Sequence, residues 1–328
     1  MKSLVIILAA AFCVPGKAAM AADCKPLQYY TGVPMTIADG TIRVPVTVNG
    51  KPETALFDTG GLSNNLSPGL VDELGLTKRQ SAIKLLNVSG KGSDSEVRVD
   101  NFSIGAIKVA DMHFQVSPFN IDGVGVELSK SFLYAFDVDL DFGSGRINFF
   151  LPDHCTGNVI YWPSDGVAEI PIALKATQIE VPVTVDGQHM DAIIDTGATH
   201  TTMSLAATKH LDIPREKLME IDTHVNGDQN LTTYRYKFST LSFGGVTVRN
   251  PTVLVIPDRM NSREHEVIPG SHIGSRALVL PDIVIGLDIL AKLHVYISYK
   301  ERKLFVSAAD DRAGKLLPPP IGNLTTRQ

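Results

Sequence analysis

The sequence predicts a mainly β protein built from two homologous barrel-like lobes, and three observations predict it. The chain repeats itself at one fixed offset, short segments alternate apolar with polar residues, and Gly and Pro interrupt those segments throughout. Of 328 residues, 27 are Gly and 19 Pro, with 44% hydrophobic and 20% charged. That length suffices for two domains that each bury a core. Two copies at so long a period are two related domains, not a solenoid of short units.

Taken in chain order, the first 22 residues read as a secretory signal peptide. Met1-Lys2 is a short positive start, Leu4 to Val14 is apolar, and Ala19-Met20-Ala21 forms an A-x-A site before Ala22. The alternative is an uncleaved membrane anchor, for which the apolar stretch is short. Asp23, directly before Cys24, does not fit a lipid-attachment signal. The mature chain is therefore expected to be periplasmic or secreted, with no stable membrane insertion after cleavage. Cys13 leaves with the signal, so Cys24 and Cys155 remain. An even pair in an oxidising compartment suggests one disulfide, two unpaired buried cysteines being the alternative.

The repeat sets the domain boundaries. Ile42-Arg43-Val44-Pro45-Val46-Thr47-Val48-Asn49-Gly50 matches Ile179-Glu180-Val181-Pro182-Val183-Thr184-Val185-Asp186-Gly187, and Ala55-Leu56-Phe57-Asp58-Thr59-Gly60 matches Ala192-Ile193-Ile194-Asp195-Thr196-Gly197. Between positions 33 and 60, 12 of 28 residues are identical to those 137 positions on, too many for chance at a fixed offset. The N-terminal lobe is placed at 23–153, a linker at 154–168, the C-terminal lobe at 169–309 and a disordered tail at 310–328. Val44, Val46 and Val48 alternate with polar or Pro positions, and Asn49-Gly50 and Asp186-Gly187 mark tight hairpins. Short helices are expected around Pro68–Leu74, Leu205–Leu211 and Leu287–Leu293. Asp137-Val138-Asp139-Leu140-Asp141 reads as a strand with an acidic outer face rather than a calcium loop, because Asn148 stands where a bidentate Glu would be needed.

Both copies end an apolar strand on a carboxylate followed by Thr-Gly. An isolated buried carboxylate is costly, and one such loop alone reads as an Asx turn. Two on equivalent strands change the argument. If the halves pack about a pseudo-twofold axis, Asp58 and Asp195 meet there and share one proton, so that one acts as base and the other as acid. Such a dyad can deprotonate a water while protonating a carbonyl oxygen. Gly60 and Gly197 permit close backbone approach.

Asp58-Thr59-Gly60-Gly61 and Asp195-Thr196-Gly197-Ala198 resemble the active-site loops of retropepsin-like aspartic proteases. Ile283-Val284-Ile285-Gly286-Leu287-Asp288 is similar to the strand and glycine that enter that family's helix, and the resemblance extends over roughly positions 33–307. It implies two acid-protease-like β-barrel lobes related by a pseudo-twofold axis in one chain, acting as a monomer on a peptide or unfolded protein without a cofactor or metal. It also implies that Thr59 and Thr196 bond across to the opposite loop, and that Gly90 and Gly227 lie in flap hairpins over the substrate. Copy one departs from the pattern: Ser129-Lys130-Ser131 aligns with Gly286-Leu287-Asp288, and Gly123-Val124-Gly125 is the other run that could serve there. Neither Gly61 nor Ala198 carries a hydroxyl after the Asp-Thr-Gly.

Other classes find little support. Thirty Lys+Arg against 35 Asp+Glu leaves a net charge of −5 with no dense basic block, so a nucleic-acid partner lacks an electrostatic basis. The nine His show no metal-ligand spacing. The sequence thus predicts an exported aspartic endopeptidase, with a catalytically weak or inactive peptide-binding module of the same fold as the alternative.

Overall fold

Each half is organised around the hairpin that its sequence marks. In the computed structural model, which describes residues 24–86, 92–118, 120–163, 166–175, 178–222, 232–257, 265–266, 276–277, 282–310 and 325–327, Thr41–Val48 pairs antiparallel with Lys51–Phe57, and Gln178–Val185 pairs with Gln188–Ile194. Asn49 and Gly50 both take positive φ (48° and 84°), as do Asp186 and Gly187 (44° and 89°). This is the double left-handed turn that two-residue hairpins with right-handed twist require. Ile42, Val44, Val46 and Val48 all point into the core, with Pro45 exposed between them. The signal-peptide expectation falls on 1–22, outside the described residues.

The second hairpin strand of each half is central to its sheet. Lys51–Phe57 runs parallel to Val126–Leu128, and Gln188–Ile194 runs parallel to Ile283–Ile285. Being paired on both edges, each delivers its last residue, and then the aspartate, at a fixed point. Beyond the neighbouring strands lie helices Pro68–Glu73 and Leu205–His210, close to their expected positions. Ser67 and Ser204 cap them, each Oγ accepting a backbone N–H three residues on. The helix expected over Leu287–Leu293 is shorter, Leu287–Leu290, because Leu293 already begins the strand Leu293–Ser298. Its copy-one counterpart is Lys130–Leu133.

A third, six-stranded antiparallel sheet joins the lobes. Its order is Gln28–Pro34, Arg146–Leu151 and Asp137–Asp141 from the first half, then Leu293–Ser298, Lys303–Ala308 and Ala168–Pro171 from the second. At its centre Val138 faces Ile297 and Leu140 faces Val295. Each of these two strands follows the short helix that comes after the parallel strand of its half, so they hold equivalent places and the cross-pairing is a local twofold lying between Asp139 and Tyr296. Residues of both halves, among them Phe57, Leu140, Phe149, Ile194, Val295 and Ile297, belong to one continuous apolar core.

The acidic strand differs from expectation. All five residues of Asp137–Asp141 are fully buried. The face opposite the core is covered by the segment between the lobes and by the adjoining strand. Trp162 is buried there, donating Nε1–H to Ser307 Oγ and stacking on His294 at 4.1 Å. The carboxylates tolerate this because each is paired. His154 Nε2 lies 2.7 Å from Asp137, and that bond holds the His154 imidazolium above its ordinary pKa. Asp139 accepts from Tyr161 (2.6 Å) and Asn148 (2.8 Å) and lies 2.5 Å from His294 Nε2. Asp141 accepts the Ser144 N–H.

Cys24 and Cys155 form a disulfide, with Cα atoms 4.9 Å apart and a sequence separation of 131. It anchors the segment between the lobes to the start of the described chain, where Cys155 N–H also bonds Lys25 O. At the other end, Thr325–Arg327 pairs as a parallel strand with Ile107–Val116.

Candidate active site

Asp58 and Asp195 each follow an apolar strand whose preceding three residues are buried. Their N–H groups bond Leu128 O and Ile285 O, which ties each aspartate to the parallel strand beside it. The loops then turn back on their own carboxylates. Asp58 Oδ1 accepts the N–H of Gly60 (2.8 Å) and Gly61 (3.0 Å), and Asp195 Oδ1 accepts those of Gly197 (2.8 Å) and Ala198 (3.1 Å). One oxygen of each carboxylate is thereby fixed by its own loop.

The threonines between cross from lobe to lobe. Thr59 Oγ1 donates to Ile194 O (2.9 Å) and accepts the Thr196 N–H (3.1 Å), while Thr196 Oγ1 donates to Phe57 O (2.7 Å) and accepts the Thr59 N–H (3.0 Å). Both threonines are fully buried. Four hydrogen bonds out of water therefore lock the two loops in register, and an unmade one would leave a buried backbone group without a partner.

The two carboxylates meet. Burial, then the charge of Asp195, then that of Glu127, push the Asp58 carboxyl well above the usual carboxylate range, against the lowering effect of the Gly60 N–H. A hydrogen bond with Asp195 acts in the same direction. A raised pKa from a like-charged neighbour is the condition for sharing one proton across the pair. One protonated and one ionised carboxyl side by side can activate a water and protonate a carbonyl oxygen.

The loop support differs between halves in residue, while two of its three connections are shared. In the second half Asp288 Oδ1 accepts both the N–H (2.8 Å) and the hydroxyl (2.7 Å) of Thr201, whose Oγ1 accepts the Gly286 N–H (3.2 Å). In the first half Ser131 Oγ accepts the Asn64 N–H (3.1 Å), and Asn64 Oδ1 accepts the Ser129 N–H (2.9 Å). Asn64 and Ser131 thus make the two connections in which Thr201 and Asp288 bind backbone N–H groups, and Ser129-Lys130-Ser131, not Gly123-Val124-Gly125, fills the place. Ser129 brings a Cβ where Gly286 has none, and Gly61 supplies the room: a Cβ there would lie 3.0 Å from that of Ser129.

Two residues that sequence reasoning missed border the site. Gln178 Nε2 donates to Gly60 O across the lobes (3.1 Å). Glu127 stands in the strand beside Asp58, and its charge in an otherwise apolar Val126–Leu128 was a signal of the kind that marked the aspartates. Gly90 and Gly227, the expected flap positions, lie outside the described residues. Among the described residues no group of three His, Cys, Asp or Glu side chains is placed to hold a metal ion, and no helix is long and apolar enough to cross a membrane.

The aspartic proteinase of Irpex lacteus, a solved structure, superposes with a TM-score of 0.50 at 14% identity, covering 87% of this chain and 99% of that one. Basic 7S globulin from soybean gives 0.47 at 9% identity, covering 89% and 100%. No curated protein matches the chain by sequence. The aspartyl protease family model matches residues 44–129 and 181–289, more than half of the chain and one segment in each lobe. The chain belongs to the aspartyl protease family.

Proposed function

We propose that the protein is an exported aspartic endopeptidase that hydrolyses peptide bonds with a water activated between Asp58 and Asp195. The observation that carries this reading is the reciprocity of the two loops. Each threonine bonds the other lobe's strand end, and each glycine lies against the other lobe's carboxylate. Such an arrangement holds two carboxyl groups together against their mutual repulsion, which a purely structural or ligand-binding fold has no need to do.

In the reaction, the ionised carboxylate takes a proton from the water as it attacks the scissile carbonyl. The protonated carboxyl gives its proton to the carbonyl oxygen, and collapse of the tetrahedral intermediate passes a proton to the leaving amine. The peptide-binding alternative drew on copy one's lack of a Gly-x-Asp pattern; the Asn64–Ser131 connections, which supply two of the three hydrogen bonds found in the second half, support the peptidase reading instead. Export is supported by the N-terminal residues 1–22 and by the Cys24–Cys155 disulfide, a bond that persists in oxidising compartments.

The test is cleavage of an unfolded protein substrate from acid to neutral pH by wild type, Asp58→Asn and Asp195→Asn. Wild type is expected to cut and each variant to lose activity by at least about 10³-fold while keeping its unfolding midpoint or raising it. Substantial activity in either variant would refute the shared dyad. Recovery of a mature chain that begins near Asp23 in the periplasmic or culture fraction tests export.

A further inference from the structure

The two sides of the cleft differ in chemistry at one matched position. Sheet register equates Glu127 with Val284: Glu127 faces Leu56 on the strand leading to Asp58, and Val284 faces Ile193 on the strand leading to Asp195. In the second lobe Ile193, Ala198 and Val284 form a small apolar cluster. The matched trio in the first lobe is Leu56, Gly61 and Glu127. A carboxylate therefore replaces an isopropyl group, and a hydrogen replaces the Ala198 methyl.

These two changes belong together. A Cβ on Gly61 would lie 2.9 Å from Glu127 Oε1 and 3.2 Å from Asp58 Oδ2. The Glu127 carboxylate and the catalytic carboxylate therefore border one small space, which the glycine leaves open. Glu127 is neither fully buried nor fully exposed, and it also lines a shallow depression with Asn65, Ser67, Ser117 and Val124. All the side chains named there besides Glu127 are uncharged. The space beside the reacting atoms on this side is thus acidic, whereas Val284 offers no charge on the other.

From this asymmetry we infer that Glu127 is a specificity-determining residue, which selects a Lys or Arg side chain at one substrate position flanking the scissile bond. A carboxylate in a partly desolvated cleft gains most from a cationic partner, through a charge-assisted hydrogen bond. A neutral side chain offers no charge-assisted bond, and an acidic one is repelled. The twofold-related position lacks this preference, so the lobes read the two sides of the bond differently. The assignment of the cleft to a peptide rests on the proposed function above.

The experiment separates the two. The Asp195→Asn protein, which cannot cut, is equilibrated with a degenerate synthetic decapeptide library, and the bound fraction is sequenced by mass spectrometry. Lys and Arg are expected to be enriched about tenfold or more at one position. The enrichment should vanish when Glu127→Val, which copies the other lobe, is added. Glu127→Gln, which preserves shape and removes the charge, gives the same result if Val perturbs folding. Binding without a cationic position, or the same enrichment after the charge is removed, overturns the inference. If the enriched peptides bind but wild type leaves them intact, the peptidase reading falls while the subsite stands.

Discussion

Gly60 of the first lobe lies against the carboxyl group of Asp195 in the second, so closely that a Cβ on it would come within 2.4 Å of Asp195 Cγ. Gly197 stands in the same relation to Asp58 Cγ, also at 2.4 Å. Each loop therefore depends on the other having no side chain at its third position. Gly60→Ala or Gly197→Ala is expected to push the carboxylates apart. The overpacking costs about 1–3 kcal/mol of stability, and activity should fall by at least about 10²-fold, because misplacement by about 1 Å is enough for that. Urea unfolding and peptide cleavage measure the two effects. A Gly60→Ala protein of normal activity would show that the loops do not approach as described.

The crossed threonines make a different prediction. Thr59→Val keeps the shape of the side chain but removes the donor to Ile194 O and the acceptor for the Thr196 N–H. Both orphaned groups are buried, at about 1–3 kcal/mol each. A loss of about 2–6 kcal/mol is expected by chemical denaturation, whereas Thr59→Ser, which retains the hydroxyl, should lose much less. Equal losses in the two variants would assign the effect to methyl packing.

What could be read in the sequence was local or repeated. The hairpin turns at Asn49-Gly50 and Asp186-Gly187, the serine-capped helices and the two Asp-Thr-Gly loops are each written in a few adjacent residues, and the repeat doubled the signal. Features set by distant partners were not legible. Alternation along Asp137–Asp141 shows that the aspartates share a face, but only the fold brings His154, Tyr161 and His294 onto it. The support under the first loop escaped a motif reading for a similar reason. Asn64 and Ser131 reproduce two of the three hydrogen bonds of Thr201 and Asp288 with different side chains, so those connections survive where the pattern does not.

The disulfide closes a loop of 131 residues. In the chain-entropy model this restricts the unfolded state by roughly 4–5 kcal/mol. Cys24→Ser with Cys155→Ser is expected to lower the unfolding midpoint substantially, and wild type should fall to the same midpoint once reductant is present. Intact-mass analysis after thiol labelling checks the premise. Two freely alkylated cysteines in non-reduced protein would remove it.

The pair His294 and Asp139 tests how the interlobe sheet tolerates buried charge. Both side chains are fully buried, and Trp162 stacks on the imidazole with the planes only 6° apart. His294→Leu leaves Asp139 with Tyr161 and Asn148 but without the histidine, at a cost of about 3–5 kcal/mol for a broken buried pair. Adding Asp139→Leu should recover much of that loss, since the uncompensated carboxylate is then gone. A double-mutant cycle in urea measures the coupling, and simple additivity would mean that the pair is not energetically linked.

The raised pKa of Asp58 predicts how stability depends on pH. Burial, the Asp195 charge and the Glu127 charge hold its proton on in the folded state at pH values where the unfolded chain, with an ordinary value of about 3.9, has released it. Below that ordinary value both states are protonated and the group contributes no difference. As pH rises through the ordinary value toward the folded one, the native state binds more protons than the unfolded state, so stability falls, and the loss levels off above the folded pKa. Asp58→Asn cannot titrate, and its Oδ1 can still accept the Gly60 and Gly61 N–H groups. The variant should match wild type in strong acid and exceed it at neutral pH, by about 1.4 kcal/mol for each tenfold by which folding tightens the grip on the proton. Asp195→Asn should also flatten the profile, because it removes the charge that helps to raise Asp58. Urea unfolding of the three proteins across this range reads the difference directly. A constant gap between wild type and Asp58→Asn at all pH values would show that the dyad does not hold its proton above the carboxylate range.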